Sequence, residues 1–492
     1  MRISTILSEN QREVQKQIEN CADIIFRPLQ IGEKEKTEAF LIYIEAAVSN
    51  VMLEDSIIGK LLNRLLLMDT EEIYGTLENN SLGISDTKEL FTLEEAMAAM
   101  FAGNAVLFVD GYDRAIKIGS KGYPGSGVQK TDSEKGLRGS KEAFSESVKM
   151  NTALIRKRIR NAKMKAEEKQ VGRYSATTTA LLYLDGVVYL PICEEMRKRL
   201  DAFEVDGIED GGMIEYLTRK KKEGRFPVYQ TTERPDRAAQ AILEGRVVLL
   251  TDNSPEALIF PATLNSLFQT ADDYYRNERI VTFLRLIRYV AAFLALALPG
   301  LYVAAATFHP QLLPGNLIRS MAEARNGVPF PTAAEVLLME LSFELLREAG
   351  LRMPGPAGNT IGIVGGLIVG QAAVSANLVS PITVTVAALT ALGSFSIPNE
   401  ELSEVFRLWK YGILLLGICF GILGVMLGCF LLLMLMAEQE SYGIPWLYPY
   451  VGGNLNERAD EKDSMFLAAA RKRKRRPIFA KWGNRIRFRR KS

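Results

Sequence analysis

TIGIVGGLIVGQAAVSANLVSPITVTVAALTALGSF, residues Thr360 to Phe395, contains no charged side chain and is punctuated by Gly362, Gly365, Gly366, Gly370, Gln371, Ser375, Asn377 and Pro381. At about 1.5 Å of rise per residue, a straight helix of this length would overshoot a hydrocarbon core roughly 30 Å thick. The stretch must therefore fold back on itself. Ser380-Pro381 is the expected corner, because proline removes a backbone donor and pushes the preceding residue out of helical geometry. The sequence thus predicts two short membrane helices, over 361–378 and 381–397. Polar groups inside a bilayer are costly unless they face protein or water, so the hairpin belongs inside a bundle or beside an aqueous path.

Within the first arm, Gly362, Gly366 and Gly370 recur every fourth residue. That spacing lets helices approach closely, so this face is read as a packing face. Gln371 and Ser375 lie on an adjacent face, suited to contact with water or ions. In an oligomeric pore they would line the axis together with Val364 and Leu367.

On the amino-terminal side, Thr332-Ala-Ala-Glu335 has capping-box spacing. It opens an amphipathic helix, 333–349, too charged to cross lipid alone and read as re-entrant or interfacial. Glu340, Glu344 and Arg347 share one stripe of it. Glu340 and Glu344 fit either an acidic vestibule that attracts cations or an interfacial helix whose acids pair with Arg347 or with neighbours. Further spans are expected at 289–308, preceded by Arg285 and Arg288, and at 411–437, where Gly417, Gly421, Gly424 and Gly428 repeat the small-residue spacing. The loop between the hairpin and the last span carries Glu400, Glu401 and Glu404, and no acidic residue follows Asp463. Basic residues stay on the cytoplasmic side, so four spans with both termini inside satisfy the charge pattern. The basic tail would then be free to meet anionic headgroups.

The mean hydropathy near zero hides this division between a polar first half and a membrane second half. A formal charge of +2 gives no case for nucleic acid as a partner, and four scattered cysteines with a single histidine give none for a metal or disulfide framework. The amino terminus lacks the apolar core of a signal peptide. In the polar half, Phe40 to Glu45 reads as a buried strand followed by a helical stretch to about Met68, and a second helix runs to about Ala102. Ala105–Val109 and Ala115–Ile118 then flank Asp110-Gly-Tyr-Asp113 as a hairpin. The pieces recur: Tyr43-Ile-Glu45 aligns with Tyr183-Leu-Asp185, and Gly103–Asp110 aligns without gaps with Gly245–Asp252. Offsets of 140 and 142 residues mark a duplicated α/β subdomain. The expected order is a first subdomain at 1–138, a basic helical connector at 139–172, a second subdomain at 173–275, a helical membrane domain at 276–437 and a basic cytosolic tail at 438–492. The connector carries Arg156, Lys157, Arg158, Arg160, Lys163 and Lys165. It is read as a solvated face or a lipid contact, because no aromatic platform accompanies it. Residues 124–131 lack both glycines of a nucleotide-binding loop, and no hydrolase or metalloprotease motif is present, so no catalysis and no cofactor are expected.

Several long segments resemble the GerA family of bacterial spore-germination proteins, specifically the A subunits of nutrient germinant receptors. They are Asp110–Asp113, Glu134-Lys-Gly-Leu-Arg-Gly-Ser140, Asn151-Thr-Ala-Leu-Ile-Arg156, Thr232-Glu-Arg-Pro-Asp-Arg237, Asp273-Tyr-Tyr275, Val328-Pro-Phe-Pro331, Met339–Gly350 and Thr360–Ala373. Val188-Tyr-Leu-Pro191 and Leu467–Ala470 depart from the family pattern. The resemblance implies a multipass protein of the spore inner membrane that works with a transporter-like B subunit and a lipoprotein C subunit. It also implies a homo-oligomeric ring, thought to be a pentamer, conducting monovalent cations when germinant binds. Two alternatives stay open. One is a non-conducting receptor or scaffold whose duplicated domain senses a ligand or recruits partners. The other is an accessory channel like stage V sporulation protein AF.

Overall fold

Two antiparallel five-stranded sheets with one strand order carry the first half of the chain in a computed structural model. The structure describes all residues except 33–35, 49–64, 66–67, 69, 79–85, 124–130, 132–133, 135, 221–222, 353–365, 367, 453–455, 457–458 and 488–492. The chain divides into two compact units. One comprises Met1–Lys220, Tyr229–Pro261 and Ala470–Ser492; the other comprises Lys221–Val228 and Ala262–Ala469.

In the first unit the strands β1 (Ile24–Ile31), β2 (Thr37–Ile44), β3 (Thr87–Leu90), β4 (Ala105–Val109) and β5 (Ala115–Ile118) are ordered β1-β2-β4-β5-β3. The second copy, β6 (Met164–Val171), β7 (Thr177–Leu184), β8 (Gln230–Thr232), β9 (Val247–Thr251) and β10 (Ala257–Phe260), is ordered β6-β7-β9-β10-β8. Central β4 and β9 are buried along their whole length, which is why they read as unbroken apolar runs. The helices are α1 (Leu7–Ile18), α2 (Thr70–Glu78) and α3 (Leu93–Phe101) in the first copy. In the second they are α4 (Val148–Arg156), α5 (Leu190–Asp201), α6 (Gly211–Thr218) and α7 (Pro235–Leu243).

The duplication extends to single hydrogen bonds. Asp110 Oδ1 accepts from Leu7 N at 3.0 Å, and Asp252 Oδ1 accepts from Val148 N at 2.9 Å, so each carboxylate caps the helix that opens its copy. Asn10 and Asn151 accept from Ser4 N and Ser145 N in the same way. Gly103 and Gly245 share φ = 91°, a left-handed conformation that favours glycine.

The basic connector expected over 139–172 is not one helix. Only Val148–Arg156 is helical, and Met164–Val171 forms edge strand β6, whose outer residues alternate polar and exposed and so mimic a solvated helix in sequence. Most of its cations are committed, whereas Arg160 and Lys163 are exposed. Arg156 is fully buried and donates from Nε and Nη2 to Asp23 of the first copy at 2.8 and 2.7 Å. Lys157 pairs with Glu142 at 2.8 Å, and Lys165 Nζ donates to Gln17 O and Glu19 O. The helical stretch expected beyond Glu45 falls largely outside the described residues.

The second unit contains α8 (Glu278–Thr307), α9 (Gly315–Ala324), α10 (Thr332–Arg352), a helix α11 described over 368–375, α12 (Pro381–Phe395) and α13 (Glu400–Glu438). Glu278–Thr307 and Glu400–Glu438 are long and apolar enough to cross a membrane. The expected corner is in place: Ser380 Oγ accepts from Thr383 N at 3.3 Å and Pro381 fills the first position of α12.

The stretch read as one span at 411–437 is not a straight rod. Gly421 lies at φ 63°, ψ −144°, inside α13. In an unbroken helix Ile413 and Gly428 would stand about 22 Å apart. Instead a Cβ on Gly428 would lie 2.9 Å from Ile413 Cγ1, one on Gly417 would lie 2.9 Å from Val425 Cγ2, and Gly424 abuts Leu416 O. The chain therefore reverses at Gly421, and two antiparallel arms, 400–420 and 422–438, pack through their glycines. The other helices fall into two sets of opposite direction, α8 with the first arm of α13 and α10 with α12. Gly393 abuts Ala295 while Thr383 meets Tyr302, so α12 runs against α8. Val336 clusters with Val303 and Leu414 while Glu340 meets Lys410, so α10 runs against both α8 and the first arm.

The tail divides. Trp446 is fully buried against Phe226 in the helical unit, its Nε1 donating to Pro227 O at 2.7 Å, whereas residues from Ala470 onward belong to the α/β unit.

Gly421→Ala would hold an L side chain at positive φ with its Cβ 3.1 Å from Phe308. Strain of this kind costs about 1–3 kcal/mol. The thermal unfolding midpoint of the detergent-purified protein is expected to fall accordingly. Gly412→Ala, whose Cβ meets open space, should leave it unchanged or slightly raised.

Candidate functional site: charged pairs and a polar stripe in the helical unit

Helix α8 is capped by Asn277, and two turns later Arg285 and Arg288 converge on one carboxylate. Arg285 Nε donates to Asp273 Oδ2 at 3.0 Å, and its Nη1 donates to Asp463 Oδ1 at 2.9 Å and Ser464 O at 2.6 Å. Arg288 donates to both Asp273 oxygens at 2.9 Å. Arg285 and Asp273 are both buried. Burial alone would raise the Asp273 carboxyl, but Arg288 and Arg285 more than offset it and hold it below the usual aspartate range. The arginines that read from sequence as a charge flank are thus a knot tying 268–274, α8 and 463–464 together.

Glu335, fully buried, does not close a cap on its own helix. Its Oε2 accepts from Ser380 N at 2.8 Å and from Thr383 Oγ1 at 3.0 Å, so it caps the second arm of the hairpin, where the helix dipole favours a negative charge. Arg325 Nε donates to its Oε1 at 3.2 Å.

One turn below, Lys410 Nζ donates to Glu340 Oε2 at 2.6 Å with both side chains buried, and Arg407 pairs with Glu344. Acids spaced i, i+4 on α10 thus meet cations spaced i, i+3 on the first arm of α13. Glu340 Oε1 has no hydrogen bond among the described residues. Arg347, the partner weighed from sequence, lies over the Phe395 ring at 5.4 Å. The two acids proposed for a cation-attracting mouth are therefore neutralised within the chain. Sequence reading left Arg407 and Lys410 out of the site, although cations flanking so apolar a run were a visible signal.

Of the proposed packing glycines, a Cβ on Gly370 would lie 3.3 Å from Val384 and one on Gly366 would lie 3.5 Å from Phe343. Gly362, Val364 and Leu367 lie outside the described residues. Gln371 and Ser375 are exposed, as are Ile368, Ala372 and Ala376. At i, i+3, i+4, i+7 and i+8 these five form one stripe along α11.

A family model described as Bacillus/Clostridium GerA spore germination protein matches residues 12–479. The chain is 34% identical to spore germination protein KA of Bacillus subtilis over 91% of its own length and 82% of that protein. It is 31% identical to spore germination protein B1 of the same organism over 97% and 98%. An uncharacterized membrane protein of B. subtilis, YfkQ, is 36% identical over 95% and 90%. The crystal structure of the N-terminal domain of the A subunit of the Bacillus megaterium germinant receptor GerK3 aligns with 54% of the chain and 98% of that domain, at 26% identity and a TM-score of 0.41.

Removing one member of a buried ion pair leaves an uncompensated charge and costs about 3–5 kcal/mol. Glu340→Leu and Lys410→Met are each expected to lower the unfolding midpoint strongly, while the double variant recovers most of the loss; additive losses would mean the two side chains do not interact. For Asp273 the folded carboxyl titrates below the unfolded one, so its contribution is present above the ordinary aspartate pKa and is lost as pH falls through the depressed value. Asp273→Asn should flatten that acid limb of the stability profile.

Proposed function

Because the chain belongs to the Bacillus/Clostridium GerA family of spore germination proteins, we propose that it is the A-type subunit of a nutrient germinant receptor in the spore inner membrane. In this reading copies of the helical unit assemble into a ring that passes monovalent cations when germinant engages the receptor, with B- and C-type subunits as partners. The observation that carries it is the exposed Gln371, Ala372, Ser375, Ala376 stripe. A glutamine and a serine turned outward from an apolar bundle are costly against lipid and favourable against water.

Opposed helix directions, with α10 and α12 running against α8 and the first arm of α13 and the second arm running against the first, support a multipass arrangement, with α10 crossing inside the bundle. Its charges are compatible with that position because Glu340 and Glu344 are paired. Arms joined at Gly421 return the chain to its starting side, which keeps Arg285, Arg288 and the basic tail together in the cytoplasm.

Reconstituted into vesicles with its partner subunits, the protein should release potassium on addition of germinant. Gln371→Leu and Ser375→Leu should each cut the flux several-fold without lowering the amount assembled. Unchanged flux in both variants, or a monomeric mass in native detergent, would remove the conduction model and leave a scaffold or sensor subunit.

A further inference from the structure

Ala470–Arg487 carries nine Lys and Arg residues and no acid, yet it is folded. Phe479 and Ala480 are buried in the second copy, Ala480 within its main apolar cluster. Lys481 N donates to Val187 O at 2.7 Å, and the Arg246 guanidinium lies 5.3 Å from the Phe479 ring centre. The segment closes into a hairpin through Arg475 and Ile486, with Arg487 N donating to Lys474 O at 2.8 Å. Two arginines are consumed in building it: Arg476 donates to Leu243 O and Asn484 O, and Arg485 to Ala480 O. Arg476 is held below the ordinary guanidinium range, first by burial and then by neighbouring Arg487.

What the hairpin leaves outward is a set of cations with apolar knobs among them. Lys472, Lys474 and Lys481 are exposed, and so are Trp482 at 66% and Ile486 at 50%. A tryptophan and an isoleucine turned to solvent on a folded basic hairpin cost hydration. We propose that this hairpin is a docking surface for an anionic phospholipid bilayer, its lysines meeting headgroup phosphates while Trp482 and Ile486 enter the interfacial layer. The chemistry of both parts fits a bilayer: lysines are attracted to the negative surface of an anionic leaflet, and indole favours the headgroup level. A nucleic acid shares the phosphates but would stack bases on the aromatic face. Here the Arg485 guanidinium lies 4.5 Å from the Trp482 ring centre, so one face of that platform is taken.

The proposal rests on the reading that the helical unit is embedded in a bilayer, and the chain provides a control for that reading. It has three tryptophans, of which Trp446 is fully buried, Trp409 lies on the first arm of α13 and Trp482 lies on the hairpin. The full chain and its Trp482→Phe variant are reconstituted in vesicles of phosphatidylcholine, alone or mixed with phosphatidylglycerol, with acyl chains brominated as quencher. The expected result is greater quenching of the parent than of W482F in the anionic vesicles. That difference should disappear in phosphatidylcholine alone, in high salt and in K472E/K474E/K481E. Equal quenching of parent and W482F in anionic vesicles, with Trp409 still quenched, overturns the docking alone. Absence of quenching in both proteins overturns the membrane reading and the docking with it. A Trp482 emission shift produced by inorganic phosphate or a DNA duplex, with none from anionic vesicles, overturns the bilayer as the occupant.

Discussion

A carboxylate and an ammonium placed among apolar helices must find each other, and much of the helical unit follows from that requirement. With Glu340 on Lys410 and Glu344 on Arg407, α10 and the first arm of α13 have one acceptable register. Sliding α10 by one turn one way would set Lys410 against Val336 and Leu337, and the other way would pair Lys410 with Glu344 but leave Glu340 facing Leu414, so either slip strands a charge where water does not reach. The cost of such an orphan, several kcal/mol, exceeds the net worth of the intact pair. The ladder therefore selects an arrangement more than it adds stability.

Close backbone approach supplies what hydrophobicity cannot. Between helices in lipid there is little gain from burying one apolar side chain against another, so packing rests on contact distance. Gly300, Gly393, Gly417, Gly424 and Gly428 each let a neighbouring backbone or side chain occupy the space a Cβ would need. Gly421 then does what the others do not. Its backbone conformation is open only to glycine, and it converts a run of apolar sequence into two arms that satisfy each other.

Legibility in the sequence followed the strength of the local signal. The Ser380-Pro381 corner could be read because proline acts on its own backbone and on its predecessor. The duplicated subdomain was visible because its central strands are buried on both faces and keep nearly the same apolar string. Gly421 was hidden: four glycines at small-residue spacing read as a packing face, and which of them reverses the chain depends on Phe308, His309 and Leu416 around them. Strand β6 was hidden because an edge strand that is polar outward shares its composition with a solvated helix. For Glu335 the spacing with Thr332 was a true cap signal pointing to the wrong helix, since the carboxylate reaches Ser380 and Thr383, 45 and 48 residues on.

Within the α/β unit, the contacts that repeat and those that do not divide by purpose. Asp110 and Asp252, Asn10 and Asn151, Gly103 and Gly245 build each copy and recur. Arg156 with Asp23 joins the copies and occurs once: at the helix offset of 141 Arg156 corresponds to Gln15, and at the edge-strand offset of 140 Asp23 corresponds to Lys163. A third copy could not be added through that contact, so the pair is closed and not the start of an open array. Closure leaves the far end of the second copy to be covered. At Gly103 the first copy covers the equivalent surface with its own Tyr123, whose ring would lie 2.6 Å from an added Cβ. At Gly245 the nearest atoms belong instead to Ala480, more than two hundred residues later, 2.7 Å from that position. Repeat structures need a capping element with a polar outer face. The basic hairpin meets that need, which explains why the segment after Ala470 folds with the α/β unit although the helical unit separates it from the second copy in sequence.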